Sequence, residues 1–591
     1  MTRPTNAGRR VAAAAAMAVA ALQAASCASL PSSSSPVPIG TLDRAPAEQT
    51  ITPPQPRRAP DQLLQDFLTV GNAPAGKHAQ ARQYLTKEAA AHWDDSARIT
   101  IVTDTAVLRE SQSDSKATYL VRANRVGQLL DNGAYKPDNG SLELRIELVR
   151  FGGEWRIDEL PSGVIMDRQL FQDSYRAHPL YFPNAAGTAL APDMRWFCND
   201  RNALATQLVA ALAAGPRSGL APAVRNMLAG GVTPNPPTRA DGRPGPVGVG
   251  MGGVRIDFRG ASALDQRSRE ILAAQVIWTL DGSRVPGGYQ LLADGKPLDD
   301  RYASGWTVAE VAMLNPNVDS GVDVGLNAVR AGALVQVDNT GLAQVPGYFG
   351  GTAAMQSAAL SRDGKQVAAV VGDRTRRTQN LMVGTYGGGA APVNAAARIT
   401  RPSWSPDNRS VWAVLDTARV VRATRDPSSG EVTTADVDTA GLAGLGKQIS
   451  ELRISRDGTR AAMIIDGRVV VAVVVLHNGR WALANAHPVP LRPGAQALSL
   501  DWSSGHDLLV STAGGDAPLV SAQVDGAVIE PFTSQNLIPP IGTIDATATT
   551  FYAKDNRTVM QLKNNDPSNK DRYWREVPYL AGVDVVPVLP G

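Results

Sequence analysis

A repeat in the C-terminal half constrains the fold of this chain most. Four segments align: Leu360 to Val371 (LSRDGKQVAAVV), Trp404 to Leu415 (WSPDNRSVWAVL), Ile454 to Ile465 (ISRDGTRAAMII) and Trp502 to Thr512 (WSSGHDLLVST). Tyr552 to Leu562 (YAKDNRTVMQL) is a degenerate fifth copy. Each copy enters on a strand, makes a polar turn such as Asp-Gly or Asp-Asn, and returns in an apolar strand. Ser361, Ser405, Ser455 and Ser503 recur at spacings of 44, 50 and 48 residues, the period of four-stranded propeller blades. Residues 332–591 therefore read as a C-terminal all-β propeller of five to six blades. The alternative, a set of separate hairpins, is disfavoured by the sustained period.

The N-terminus decides where the chain resides. Arg9 and Arg10 lead into the apolar run Val11 to Leu22, which ends in Ala24-Ala25-Ser26 and then Cys27. A basic start, a short apolar core and small residues make residues 1–26 an export signal. The run is too short to cross a bilayer, which takes roughly 20 apolar residues. A cysteine directly after the small residues resembles a lipobox, in which the thiol receives a diacylglyceryl group and the signal is removed. A strict lipobox has Leu at the third position before the cysteine, where this chain has Ala24. Cys27 is the expected lipidation site, and the protein is expected on the extracytoplasmic face of the cell membrane. Residues 27–60, with SLPSSSSPVPIG from Ser29 to Gly40, have the composition of a flexible spacer.

Two α+β units lie between spacer and propeller. In residues 61–170, the stripe Leu63, Leu64, Phe67, Leu68 marks a helix, and strand-like runs follow. Gly152-Gly153 centres a hairpin turn before Trp155. This order looks like an α+β domain of the cystatin or nuclear-transport-factor type. Residues 176–312 open with HPLYFPN (His178 to Asn184) and hold a helix from Ala203 to Gly215. A strand Val254–Phe258, an amphipathic helix Ser268–Leu280 and a strand with a turn from Tyr289 to Leu298 follow. The segments YFP, AALAAGP, WTL and ADGKP in this order resemble the GerMN domain.

Arg3, Arg9 and Arg10 account for all of the formal +3 of the 591 residues, so residues 27–591 are neutral. Neutrality argues against nucleic acid or a polybasic membrane contact. Cys198 is the second of two cysteines. With Cys27 lipidated it has no partner for an intramolecular disulfide, and it reads as a buried structural thiol.

The recognisable catalytic signatures fail on their context. Gly248, Gly250 and Gly253 fit G-x-G-x-x-G, but a strand rather than a helix follows. Gly441 to Lys447 has P-loop spacing, but Gln448 stands where a Ser or Thr should hold Mg²⁺. The stretch reads as an inter-strand loop. His78, His92, His178, His477, His487 and His506 never fall three to five residues apart, so no zinc site is expected. Asn315 to Asp319 starts like an EF-hand loop, but position 326 is Leu. No G-x-S-x-G elbow occurs. The blade serines read as hydroxyls that satisfy turn backbone. Trp404 and Trp502 read as core packing, and the pairs Asp94-Asp95 and Asp299-Asp300 as solvated. We expect no catalytic residues, metal or cofactor, and a protein that is not an enzyme.

The WSPDN-type copies resemble TolB-type blades. An export signal with a lipid cysteine, a nuclear-transport-factor-like unit, a GerMN-like unit and a propeller, in that order, resemble the LpqB lipoprotein family of Actinobacteria. The resemblance implies an accessory of a two-component system, with the extracytoplasmic domain of an MtrB-like sensor histidine kinase as partner, acting in cell-envelope homeostasis. Other expectations compatible with the residues are an envelope glycan-binding or processing protein that uses the propeller funnel, and a structural envelope scaffold.

Overall fold

The computed structural model describes residues 53–70, 78–198, 200–248, 253–316, 324–338, 340–373, 378–563, 573–582 and 584–590. Cys27, the export signal and most of the spacer lie outside them.

Three short helices begin the first domain: α1 (Pro60–Val70), α2 (Ala79–Arg82) and α3 (Lys87–His92). They cover one face of a five-stranded sheet made of β1 (Ile99–Gln112), β2 (Lys116–Leu129), β3 (Tyr135–Phe151), β4 (Glu154–Glu159) and β5 (Val164–Asp167). Its order is β4-β3-β2-β1-β5, antiparallel except where β5 lies parallel to β1. Helices on one face of an antiparallel sheet are the expected α+β arrangement. Leu63, Leu64 and Phe67 of α1 are buried as the stripe requires. Gly152 and Gly153 turn the β3–β4 hairpin with φ of 60° and 86°, values that glycine adopts without Cβ strain.

After a helical turn, α4 (Arg168–Ser174), the chain forms a long hairpin of β6 (Tyr175–Pro183) and β7 (Leu190–Cys198). This hairpin belongs to two cores at once. Tyr175 and Trp196 at one end pack into the first domain. Leu180, Phe182 and Leu190 at the other end pack into the second.

The second domain is built around a parallel β-α-β unit: β9 (Val254–Arg259), α6 (Gln266–Gly282) and β10 (Tyr289–Ala293), with α5 (Arg201–Ala214) beside it. The short strands β8 (Thr233–Pro234) and β11 (Lys296–Pro297) complete its sheet. Asp200 caps α5 by accepting from the Asn202 N–H at 3.0 Å. Helix α6 corrects the expectation of an amphipathic helix. Every residue from Ile271 to Leu280 is buried, so this stretch of the helix is enclosed on all sides. Its two polar members are satisfied internally. Gln275 bonds the Met227 N–H and Asn226 Oδ1, each at 3.0 Å, and the Thr279 hydroxyl accepts from the Tyr181 N–H at 2.9 Å.

The propeller has six four-stranded sheets. Blades 1 to 5 begin at Met355, Ser403, Ile449, Ala497 and Thr543. Blade 6 is composite: Val585–Val588 near the C-terminus pairs antiparallel with Leu326–Arg330, which continues into Ala333–Val337 and Leu342–Gln344. The ring is thus closed by strands from both ends of the domain, so no blade edge is left open along the seam. Among the described residues no helix is long and apolar enough to cross a membrane.

Candidate functional site

The blade serines and tryptophans are structural, as their repeated position implied. The Ser361 hydroxyl accepts from the Gln366 N–H at 2.9 Å, and the Ser455 hydroxyl from the Arg460 N–H at 3.0 Å. Trp404 and Trp502 are buried. Each indole N–H donates to the preceding blade, to the carbonyls of Ala359 and Arg453 at 3.0 Å. They tie neighbouring blades together.

The inner strands hold what the sequence reading missed. Counting back two and four residues from the blade serine gives positions whose side chains alternate onto the propeller axis. Two residues back stand Ser403, Arg453 and Asp501, and in blade 5 the matching residue is Asp545. Four residues back stand Arg401, Glu451 and Ser499. All seven are in strands or beside them, and all are nearly inaccessible to solvent. Arg453 donates to both oxygens of Asp501, at 3.0 and 3.2 Å, and to Asp545 at 3.3 Å. Arg401 donates to Glu451 at 2.6 Å and stands 3.7 Å from Asp545. The carboxylates also accept backbone N–H groups of adjoining strands: Leu500 on Glu451 at 3.0 Å, Ala546 on Asp501 at 2.9 Å, and Leu589 on Asp545 at 2.9 Å.

Two arginines therefore face three carboxylates in a buried interior, and one carboxylate must carry the excess. Burial pushes Asp545 up, and Asp501 beside it adds to the rise. Burial also acts on Asp501, but Arg453 and Arg401 outweigh it and hold this carboxyl low. A cluster of perturbed acids can mark a catalytic centre. In this one every oxygen of the three carboxylates accepts from an arginine or a backbone N–H, and the cluster joins blades 2 to 5 and the C-terminal strand.

A second charged cluster lies where the first two domains meet the propeller. Asp193 of β7 accepts from Arg195 at 2.8 Å and from Arg217 at 2.5 Å. Trp196 donates its indole N–H to Asp525 of blade 4 at 3.0 Å. Arg460 of blade 3 donates to the Pro192 carbonyl at 2.6 Å, and Asn184 to the Asp457 carbonyl at 3.1 Å. Ala223 packs on Val473 and Val475 of blade 3, and Ala527 of blade 4 enters the first domain's core. All three domains belong to one compact unit.

Two expectations need correction. Asp95 and Asp299 are not simply solvated: Asp95 accepts from Arg82 at 2.6 Å. Asp299 is buried, and Arg301 beside it holds its carboxyl well below the usual range. Cys198, expected to be buried, is half-buried at the end of β7. The P-loop-like stretch is a turn and loop ahead of blade 3, in which the Lys447 N–H donates to Asp466 at 2.9 Å. Residues 249–252 and 317–323, in the glycine-rich and EF-hand-like segments, lie outside the described residues. Among the described residues no three His, Cys, Asp or Glu side chains are grouped to hold a metal ion.

This domain order has direct counterparts. The model of the lipoprotein LpqB N-terminal domain matches residues 53–172, that of sporulation and spore germination proteins matches 179–299, and that of the lipoprotein LpqB β-propeller domain matches 332–590. Lipoprotein LpqB of Rhodococcus jostii is 48% identical, covering 96% of this chain and 95% of its own. The chain belongs to the lipoprotein LpqB family. Lipoprotein LpqB of Nocardia farcinica is 47% identical over 96% of both chains, and that of Mycobacterium bovis 40% over 96% and 97%. The periplasmic gluconolactonase of Pseudomonas aeruginosa is 18% identical with a TM-score of 0.32, covering 47% of this chain and 84% of its own. That likeness carries no functional weight.

Proposed function

We propose that this LpqB-family lipoprotein is a non-enzymatic accessory of two-component signalling. It is anchored by lipid on Cys27 to the extracytoplasmic face of the cell membrane. There it binds the external domain of a sensor histidine kinase and modulates envelope homeostasis. The observation that carries the non-enzymatic part is the propeller axis, where the perturbed acids are consumed by Arg401, Arg453 and backbone donors. Such a protein acts through its surfaces. Two or more acyl chains anchor stably where one does not, and confinement to the kinase's own layer raises the effective concentration of the pair. The stretch from Cys27 to Pro53 reaches at most roughly 90 Å when extended, enough to let a rigid body meet a membrane receptor.

A second reading, glycan binding, draws on a cleft of about 390 Å³ where Pro316 meets the propeller, lined by Arg456, Ser504, Asp507 and Thr549 beside Phe532 and Phe551. Hydroxyls, a carboxylate and aromatic faces suit a sugar.

The test is a crosslinking pull-down from membranes, comparing the natural chain with Cys27→Ala. Recovery of a sensor kinase that disappears in Cys27→Ala is the expected result. Recovery of wall glycan or assembly enzymes without a kinase would replace it with the second reading.

A further inference from the structure

The first domain contains a cleft that neither the axis nor the junction uses. It has a volume of about 210 Å³ and lies between α1 and the sheet. This exceeds the ~150 Å³ cavity that holds a benzene ring, and falls below the ~300 Å³ of drug-sized sites. Its shape follows from β3. Leu142, Leu144 and Ile146 occupy alternate positions and line one wall, so the wall runs about 13 Å along the strand. Ile165 of β5 and Leu68 of α1 face it. Leu142, Leu144, Ile165 and Leu68 are each only half-buried, whereas Ile146 at the inner end is buried. Trp93 closes another side, fixed by its indole N–H donating to the Gly163 carbonyl at 3.1 Å. The result is an elongated aliphatic slot that continues the domain core and opens at one end.

Charge is placed on one side of it. Arg98 lines the cleft and is exposed, and its guanidinium forms no ion pair among the described residues. Asp95, the nearest carboxylate along the chain, is paired with Arg82 at 2.6 Å, and Asp94 is engaged by the N–H and hydroxyl of Ser96 at 3.0 and 2.8 Å. An apolar slot with an unneutralised cation complements a molecule with one aliphatic chain and an anionic head. We propose that this cleft binds a single-chain anionic amphiphile, taken up as a monomer, with the chain along β3 and the head at Arg98.

The probe is dodecanoate below its micelle concentration, titrated calorimetrically into the processed chain, residues 27–591, with dodecanol as the neutral control. Saturable one-to-one binding of dodecanoate is expected. Leu144→Trp and, independently, Ile165→Trp fill the slot and should weaken both probes more than about tenfold at unchanged Tm. Arg98→Gln should weaken dodecanoate about fivefold, the scale of one exposed ion pair, and leave dodecanol unchanged. Should one tryptophan variant fail to fold, the other and the Arg98 selectivity still decide. Absence of saturable binding, binding indifferent to the tryptophans, or binding confined to phosphatidylglycerol vesicles would each overturn the proposal.

Discussion

Arg453 shows how a single side chain can hold a ring of blades. It is buried and donates to Asp501, Asp545 and the Pro402 carbonyl, the last at 3.2 Å. Arg453→Leu would leave two carboxylates without their shared cation, and breaking a buried pair in this way costs about 3–5 kcal/mol. A clear fall in Tm and in the denaturation midpoint is expected, and an unchanged midpoint would refute the role. Asp545 makes a prediction of opposite character. Its folded pKa, pushed up to about 7, lies above the unfolded carboxyl value. Stability from such a group is full below the unfolded pKa and is lost as pH rises through about 7. Thermal melts should therefore weaken between about pH 4 and pH 7 and level off above that, and Asp545→Asn should flatten that slope. The serine and tryptophan positions were legible because repetition in sequence mirrors repetition in space. The axis charges were not, because Arg401, Glu451, Arg453, Asp501 and Asp545 differ from blade to blade. In sequence each looks like the polar half of an alternating strand.

At the scale of elements, the composite sixth blade explains why the repeat left the blade count open. Its innermost strand, Val585–Val588, is more than 240 positions from its partner Leu326–Arg330, so no contiguous copy of the motif exists for it. Truncation after Gly582 would remove that strand and the Leu589 N–H on Asp545. It would also expose the edge of Leu326–Arg330. We expect this truncated chain to lose cooperative unfolding of the propeller and to be cut rapidly by protease within it. Native-like protease resistance would show that the seam contributes little. Helix α6 was legible as a helix but not as a central one. Gln275 and Thr279 look like a polar face until Met227, Asn226 and Tyr181 arrive from elsewhere in the chain to satisfy them. The β6–β7 hairpin was likewise readable as strand but not as a shared element, since nothing local distinguishes Trp196 from any other core tryptophan.

For the whole molecule, the junction decides whether three domains behave as one body. Its contacts are few in kind but deeply set: a tryptophan on a buried carboxylate, a carbonyl on a buried arginine, and alanines and valines between them. Gly526 is the position where closeness is most constrained. Its φ is +77°, and an added Cβ would lie 2.8 Å from Pro137 of the first domain and 2.9 Å from Pro490. Gly526→Val combines a disfavoured backbone with a steric wedge between the first domain and blade 4. Neither effect touches the propeller axis or the two α+β cores. The natural chain should therefore unfold in one calorimetric transition, because separating the domains would uncover Trp196, Asp525 and Ala527 together. Gly526→Val should split that transition, with the first domain melting at lower temperature and the propeller close to its original Tm. A single transition merely displaced downward would mean that the wedge is absorbed inside blade 4. Two transitions already present in the natural chain would mean that the junction is too weak to couple the domains. A rigid body would matter for the proposed accessory role because a partner that grips the propeller would then also orient the first domain. In a flexible chain, the same grip would leave that domain free.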